Sequence, residues 1–258
     1  MPTGKSQLPA AESYPFTFWY NCCITLCAIK TTQYNKMKNL KIISSLLFMF
    51  IGLTSFVIPF NLNVSPKEDD YTGYLSDLER GVVEELNLAR MQPETYANFL
   101  TEYSKLYVGR ELREQGETTI LTNEGKSAVN EAIRFLRNQR SMSFLRASKG
   151  MSRAAEDMVR MQGKTSRIGH IGTDGSSFSD RISRYGTWSG SCSENIDYGF
   201  NAPRRIVMAL IIDDGVRSRG HRTSIFNPGF KRVGVACGYH KIYQYMCVIE
   251  LAQSYDER

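Results

Sequence analysis

Arg232 to Tyr239 (RVGVACGY) and Tyr243 to Ala252 (YQYMCVIELA) decide the fold. Both are rich in Val, Ile, Tyr and Cys, residue types that suit a pleated, half-buried surface, and a short connection separates them. They predict an antiparallel hairpin turning near His240-Lys241. Upstream the apolar period changes. Leu75, Leu78, Val82 and Leu86 recur at helical spacing and predict a helix from Thr72 to Met91. Pro93 suits the first turn of a second, short helix carrying Tyr96, Phe99 and Leu100, because the N–H it lacks would be unpaired there anyway. A longer helix is predicted from Thr122 to Arg137, with Ala128, Ala132, Ile133 and Leu136 on its apolar side. Another runs from Ser148 to Gln162, where Met151, Ala154, Ala155, Met158 and Met161 form a core stripe rather than a cofactor site. A last helix starts at Pro203 and buries Ile206, Val207, Leu210 and Ile211. Helices first and strands last indicate an α+β domain.

The chain has 258 residues, 42% of them hydrophobic, enough for one full core plus an N-terminal appendage. Its net charge of +6 is mild, and no Lys/Arg run with interleaved aromatics marks a nucleic-acid groove. Met37-Lys38-Asn39-Leu40-Lys41 followed by the apolar stretch Ile42 to Phe60 reads as a secretory signal, with an uncleaved signal anchor as the competing reading. On that reading residues 1–36 are an upstream extension, 37–60 the signal or anchor, 61–73 a polar linker and 74–258 the domain. The domain is then expected outside the cytoplasm: secreted, periplasmic or on the cell surface. Membrane contact is expected only through the N-terminal segment. Cys192, Cys237 and Cys247 allow one disulfide and one thiol; Cys237 and Cys247 lie on successive strands, while Cys192 offers an alternative tie between a loop and the sheet.

The chemistry concentrates in three elements. The chain has three histidines, and His170 and His221 sit in Gly-His dipeptides on either side of Glu194-Asn195. Neutral imidazole binds a divalent metal or relays a proton, and a carboxylate orients it. Gly169 to Ser179 and Gly186 to Gly199 are rich in Gly and Ser and read as display loops, which puts Glu194 on a loop. Gly220 would let the backbone take a strained conformation that aims His221 into a cleft. A structural reading of Glu194 is a pair with Arg181 or Arg222. Asp174-Gly175-Ser176-Ser177 reads as a turn and helix cap, and His240 as the exposed tip of the hairpin.

With Asn87 and Arg90, Glu194-Asn195, Gly220-His221-Arg222 and Val233-Gly234-Val235-Ala236 in this order, residues 75–255 resemble the CAP superfamily: SCP-like, cysteine-rich secretory, antigen 5 and pathogenesis-related proteins. The Gly-His-Arg form followed by Ile225-Phe226-Asn227-Pro228 resembles the bacterial branch. The resemblance implies an α-β-α sandwich with a central antiparallel sheet, and it places His170, Glu194 and His221 at the family's site. Many members carry a second site glutamate on the helix before the Gly-His motif. This chain has neither Glu nor Trp there, and Asp213 or Asp214 is the substitute, the alternative being a loop-forming or Arg-pairing acidic pair.

No nucleophile elbow, zincin helix, phosphate loop or dinucleotide fingerprint is present in the sequence, and no organic cofactor is expected. The expected function is a cleft that binds a divalent metal, with Zn²⁺ favoured by nitrogen ligands, and a small-molecule, lipid or peptide ligand. His170, His221 and Glu194 are the expected metal ligands, with Asp213 or Asp214 as the fourth. The alternatives are a metal-dependent hydrolase with Glu194 as base, and a non-catalytic adhesion or interaction module.

Overall fold

In the computed structural model, residues 72–114 and 119–258 are described. The proposed extension and signal, and most of the linker, lie outside these residues. The first helix, α1 (Asp77–Met91), starts at Asp77, behind the N-cap Ser76, rather than at Thr72. Ser76 and Glu79 satisfy each other's backbone N–H groups in a capping box, and the chain before it forms a turn instead. Then come α2 (Pro93–Tyr103), with Pro93 in its first turn, and three two-residue strands. These are β1 (Tyr107–Val108), β2 (Glu111–Leu112) and β3 (Ile120–Leu121), a small antiparallel sheet that the sequence pattern does not announce. Next are α3 (Lys126–Asn138), β4 (Arg146–Ala147) and α4 (Lys149–Gln162), the last capped by the Ser148 hydroxyl. The chain ends with α5 (Phe178–Ser183), β5 (Gly186–Tyr198), α6 (Pro203–Ile212), α7 (Gly220–Ile225), β6 (Arg232–His240) and β7 (Gln244–Glu257).

The main sheet has the order β4-β6-β7-β5. The expected hairpin is β6–β7, paired from Arg232↔Ala252 to His240↔Gln244. The sheet is mixed rather than purely antiparallel, because β4 joins β6 in parallel through Arg146↔Arg232 and Ala147↔Val233. Side-chain alternation sorts the two faces. Val233, Val235, Cys247, Ile249 and Leu251 enter a core with α1, α2, α3, α6 and α7. Ala236, Met246, Val248 and Ala252 face α4 and α5. This is the expected α-β-α layering. Helix α4 lies so close to β6 that a Cβ on Gly234 would strike the Met151 backbone. Cys237 and Cys247, directly opposite in register, form the disulfide, and Cys192 has no partner among the described residues.

Asn87 and Arg90 lock the first layer to the sheet. The Asn87 amide both donates to Leu145 O (3.1 Å) and accepts from Leu145 N (2.6 Å). The fully buried Arg90 guanidinium donates to the carbonyls of Ser143, Ile225, Asn227 and Phe230, and burial lowers its pKa to about 10. Four carbonyl oxygens thus replace the water that a buried cation needs.

Candidate functional site

The first expected residue, His170, lies in the loop after α4 and keeps about half its side chain exposed. Its Nδ1 sits 2.9 Å from Glu194 Oε1. Glu194 is not on a loop. It belongs to β5, pairs with Glu250 of β7, and its side chain is wholly buried. Its other oxygen, Oε2, accepts from Arg181 at 2.5 Å, so the pair with Arg181, not Arg222, is the one that forms. Arg181 is itself fully buried on α5 and also donates to Ser176 O (2.9 Å) and His170 O (3.3 Å). One guanidinium therefore fixes both the carboxylate and the backbone of the histidine it orients. The Asp174–Ser177 segment behaves as the expected turn and cap: Asp174 accepts from Ser176 N, and Ser177 opens α5 with a capping box.

Glu250 is the residue that the sequence reading passed over. Across the strand pair from Glu194 it is fully buried, and its carboxyl lies against that of Glu194 with no other hydrogen-bond partner. Burial first, then the negative Glu194 beside it, push its carboxyl well above the ordinary carboxylate range. A lone carboxylate within MCVIELA was the available signal.

The second histidine is held by a different device. His221 Nδ1 lies 2.7 Å from Asp213 Oδ1, and its backbone N–H donates to Asp213 Oδ2 (3.0 Å). Asp213, at the C-terminal end of α6, is buried and left-handed (φ 57°). The strained residue before His221 is Arg219 (φ 52°) rather than Gly220, which begins α7. Arg219 accepts that conformation because its guanidinium gathers Glu124, Glu131 and the carbonyls of Asp213 and Val216. Asp214 does something else entirely: it accepts from the N–H groups of Asn123, Glu124 and Gly125 just before α3. The acidic pair is thus divided between one histidine partner and one backbone cap.

The two dyads flank β5, which is an edge strand. Glu194, in phase with Ile196, faces the layer of α4 and α5, whereas Asn195 faces the other way and donates to His221 O (3.1 Å). The four side chains form two pairs, not one cluster: among the described residues no group of three or more His, Cys, Asp or Glu could hold a metal. His240 does not project from the hairpin tip. It is buried, its Nε2 donating to Arg167 O (2.9 Å) and its Nδ1 accepting from Ile242 N and Tyr243 N (both 3.3 Å).

Residues 127–251, a little under half of the chain, match the model of the Cysteine-rich secretory protein family, CAP. No curated protein matches the chain. Among solved structures it is similar to an outer surface protein of Borrelia burgdorferi, at 17% identity and a TM-score of 0.37, over 43% of this chain and 78% of that one. It is also similar to an extracellular SCP-domain protein of Bacillus anthracis, at 17% identity and a TM-score of 0.34, over 50% of this chain and 38% of that one.

The divided roles of the acidic pair predict separable defects. Asp213→Asn should free the His221 ring with the fold intact, whereas Asp214→Asn should lower the unfolding midpoint and leave the His221 ring resonances unshifted; the reverse assignment in heteronuclear spectra would refute this. Glu250 carries a second prediction. Its native carboxyl holds a proton to higher pH than the unfolded chain does, so it costs stability as pH rises above the ordinary carboxylate range. Glu250→Gln, which keeps the neutral shape, should melt higher than wild type at pH 8 and converge with it near pH 4. A difference in melting temperature that does not vary with pH would show that Glu250 is ionised in the native state.

Proposed function

We propose that this protein is an extracytoplasmic binding module built on a CAP domain, in which two carboxylate-oriented imidazoles form the ligand contacts. The observation that carries this reading is the engagement of both Nδ1 atoms, by Glu194 at 2.9 Å and by Asp213 at 2.7 Å. A carboxylate on Nδ1 selects the tautomer that leaves Nε2 as the free donor atom, the arrangement that orients metal-binding histidines. The export half of the proposal draws on Met37 to Phe60, together with the Cys237–Cys247 bond, a feature of oxidising compartments. Among the described residues no helix is long and apolar enough to cross a membrane.

Among the described residues no group of three or more His, Cys, Asp or Glu could hold a metal, so a divalent ion at this site would have only imidazole nitrogen to bind. His170 and His221 would hold it by Nε2, while every oxygen of Glu194 and Asp213 is already committed to a histidine or to Arg181. Such an ion would supply a Lewis-acidic anchor for an anionic or carbonyl group of the ligand. Two imidazoles with the remaining positions open favour a late first-row ion and modest affinity. The same commitments weigh against the hydrolase alternative. A general base must reach a water, and the buried Glu194 carboxylate is occupied on both oxygens.

Calorimetric titration of Zn²⁺ into wild type, His170→Ala and His221→Ala tests the reading. Uptake should weaken as pH falls through the imidazole range, because a protonated ring cannot ligate. Each substitution should reduce affinity at least about tenfold, in line with the loss of one metal ligand or its orienting partner. Uptake that neither substitution changes would place the metal elsewhere.

A further inference from the structure

Of the ten large apolar side chains that stand exposed among the described residues, five fall in two short segments: Ile168, Ile171, Tyr239, Ile242 and Tyr245. These segments, 163–171 and 239–245, are far apart in sequence but form one rim. Lys241 N donates to Gly163 O (2.8 Å), and the buried His240 reaches across to Arg167 O (2.9 Å). The Tyr198 hydroxyl binds the same loop by accepting from Gly169 N (3.0 Å), and the Tyr198 ring lies 5.3 Å from that of His240. The rim is thus a braced platform. Its isoleucines are between 52% and 59% exposed, although a core is available to them on either side of the sheet.

Charge gives the platform its partner. Lys164, Arg167 and Lys241 are exposed among these isoleucines, and the two segments contain no Asp or Glu. Along the chain, the first carboxylate beyond Ile171 is Asp174, which is held by Arg184 at 2.7 Å. Isoleucines that project between cations, with two exposed tyrosines at their margin, match the layering of a bilayer surface. Apolar groups enter the acyl boundary, aromatic hydroxyls sit at headgroup level, and cations meet lipid phosphates. A second protein would need carboxylates to answer three cations, and this chain's own matching surface would be like-charged. We propose that the rim formed by residues 163–171 and 239–245 docks on an anionic lipid bilayer, which would set the half-exposed His170 at the membrane-facing edge of the domain. The inference does not depend on metal binding.

The test uses the full chain carrying Ile242→Trp beside the unmodified chain, each mixed with vesicles of brominated phosphatidylcholine, alone or with phosphatidylglycerol. Insertion of the apolar stretch 42–60 would bring the domain to both kinds of vesicle, so the readout is the difference between them. Bromine quenching of the added tryptophan should occur only with phosphatidylglycerol and fade at high salt. Lys241→Gln should weaken partitioning about fivefold, the contribution of one surface cation near an anionic leaflet. Circular dichroism should be unchanged, since both side chains are exposed. Quenching that is absent, or equal in the two kinds of vesicle, would overturn the proposal. So would a lipid-independent dimer, detected by sedimentation, that Ile242→Ser abolishes.

Discussion

The arrangement depends on one buried ion pair, Arg181 with Glu194, both fully withdrawn from solvent. A charge of either sign alone at that position would be too costly to keep, and removing one partner of such a pair strands the other. The pair therefore acts as a constraint: wherever β5 places Glu194, α5 must follow with Arg181. Because Arg181 also holds the His170 carbonyl and Glu194 holds the His170 ring, the loop after α4 is pinned from both sides. Glu250 fills the cross-strand position, where burial and the Glu194 charge disfavour a second negative charge.

The His221 dyad reaches the same end by backbone conformation. Asp213 and Arg219 both take the left-handed region, a costly choice for residues with a Cβ, and each is over-determined by its side chain. Asp213 clamps the His221 ring and N–H, and Arg219 neutralises Glu124 and Glu131. One imidazole is thus placed by a rigid sheet and the other by a strained turn, and Asn195 links the two across β5.

Much of this was legible in the chain. The helices at Pro93, Ser148 and Pro203, the α+β order and the β6–β7 hairpin follow from period, proline placement and caps. What failed did so for identifiable reasons. Residues 186–198 look like a loop because their Ser and Gly content lowers strand propensity, yet long pairing with β7 overrides it. His240 looks like a hairpin tip because local pattern cannot reveal that residues 163–167 fold over it. Asp213 and Asp214 are adjacent and chemically alike, so only the left-handed turn decides which one meets His221. Arg181 was visible as a partner for Glu194, but its burial depends on α5, a helix too short for its apolar period to show.

The central claim is that carboxylates on Nδ1 leave Nε2 of His170 and His221 free for a ligand. Nitrogen-15 correlation spectra of the imidazole rings, recorded above the histidine titration range and assigned with His→Gln variants, read the tautomers directly. The chain holds three histidines, so the pattern is simple. His170 and His221 should carry their proton on Nδ1, and His240, which accepts at Nδ1, should carry its proton on Nε2. Three rings all protonated on Nε2 would contradict the account.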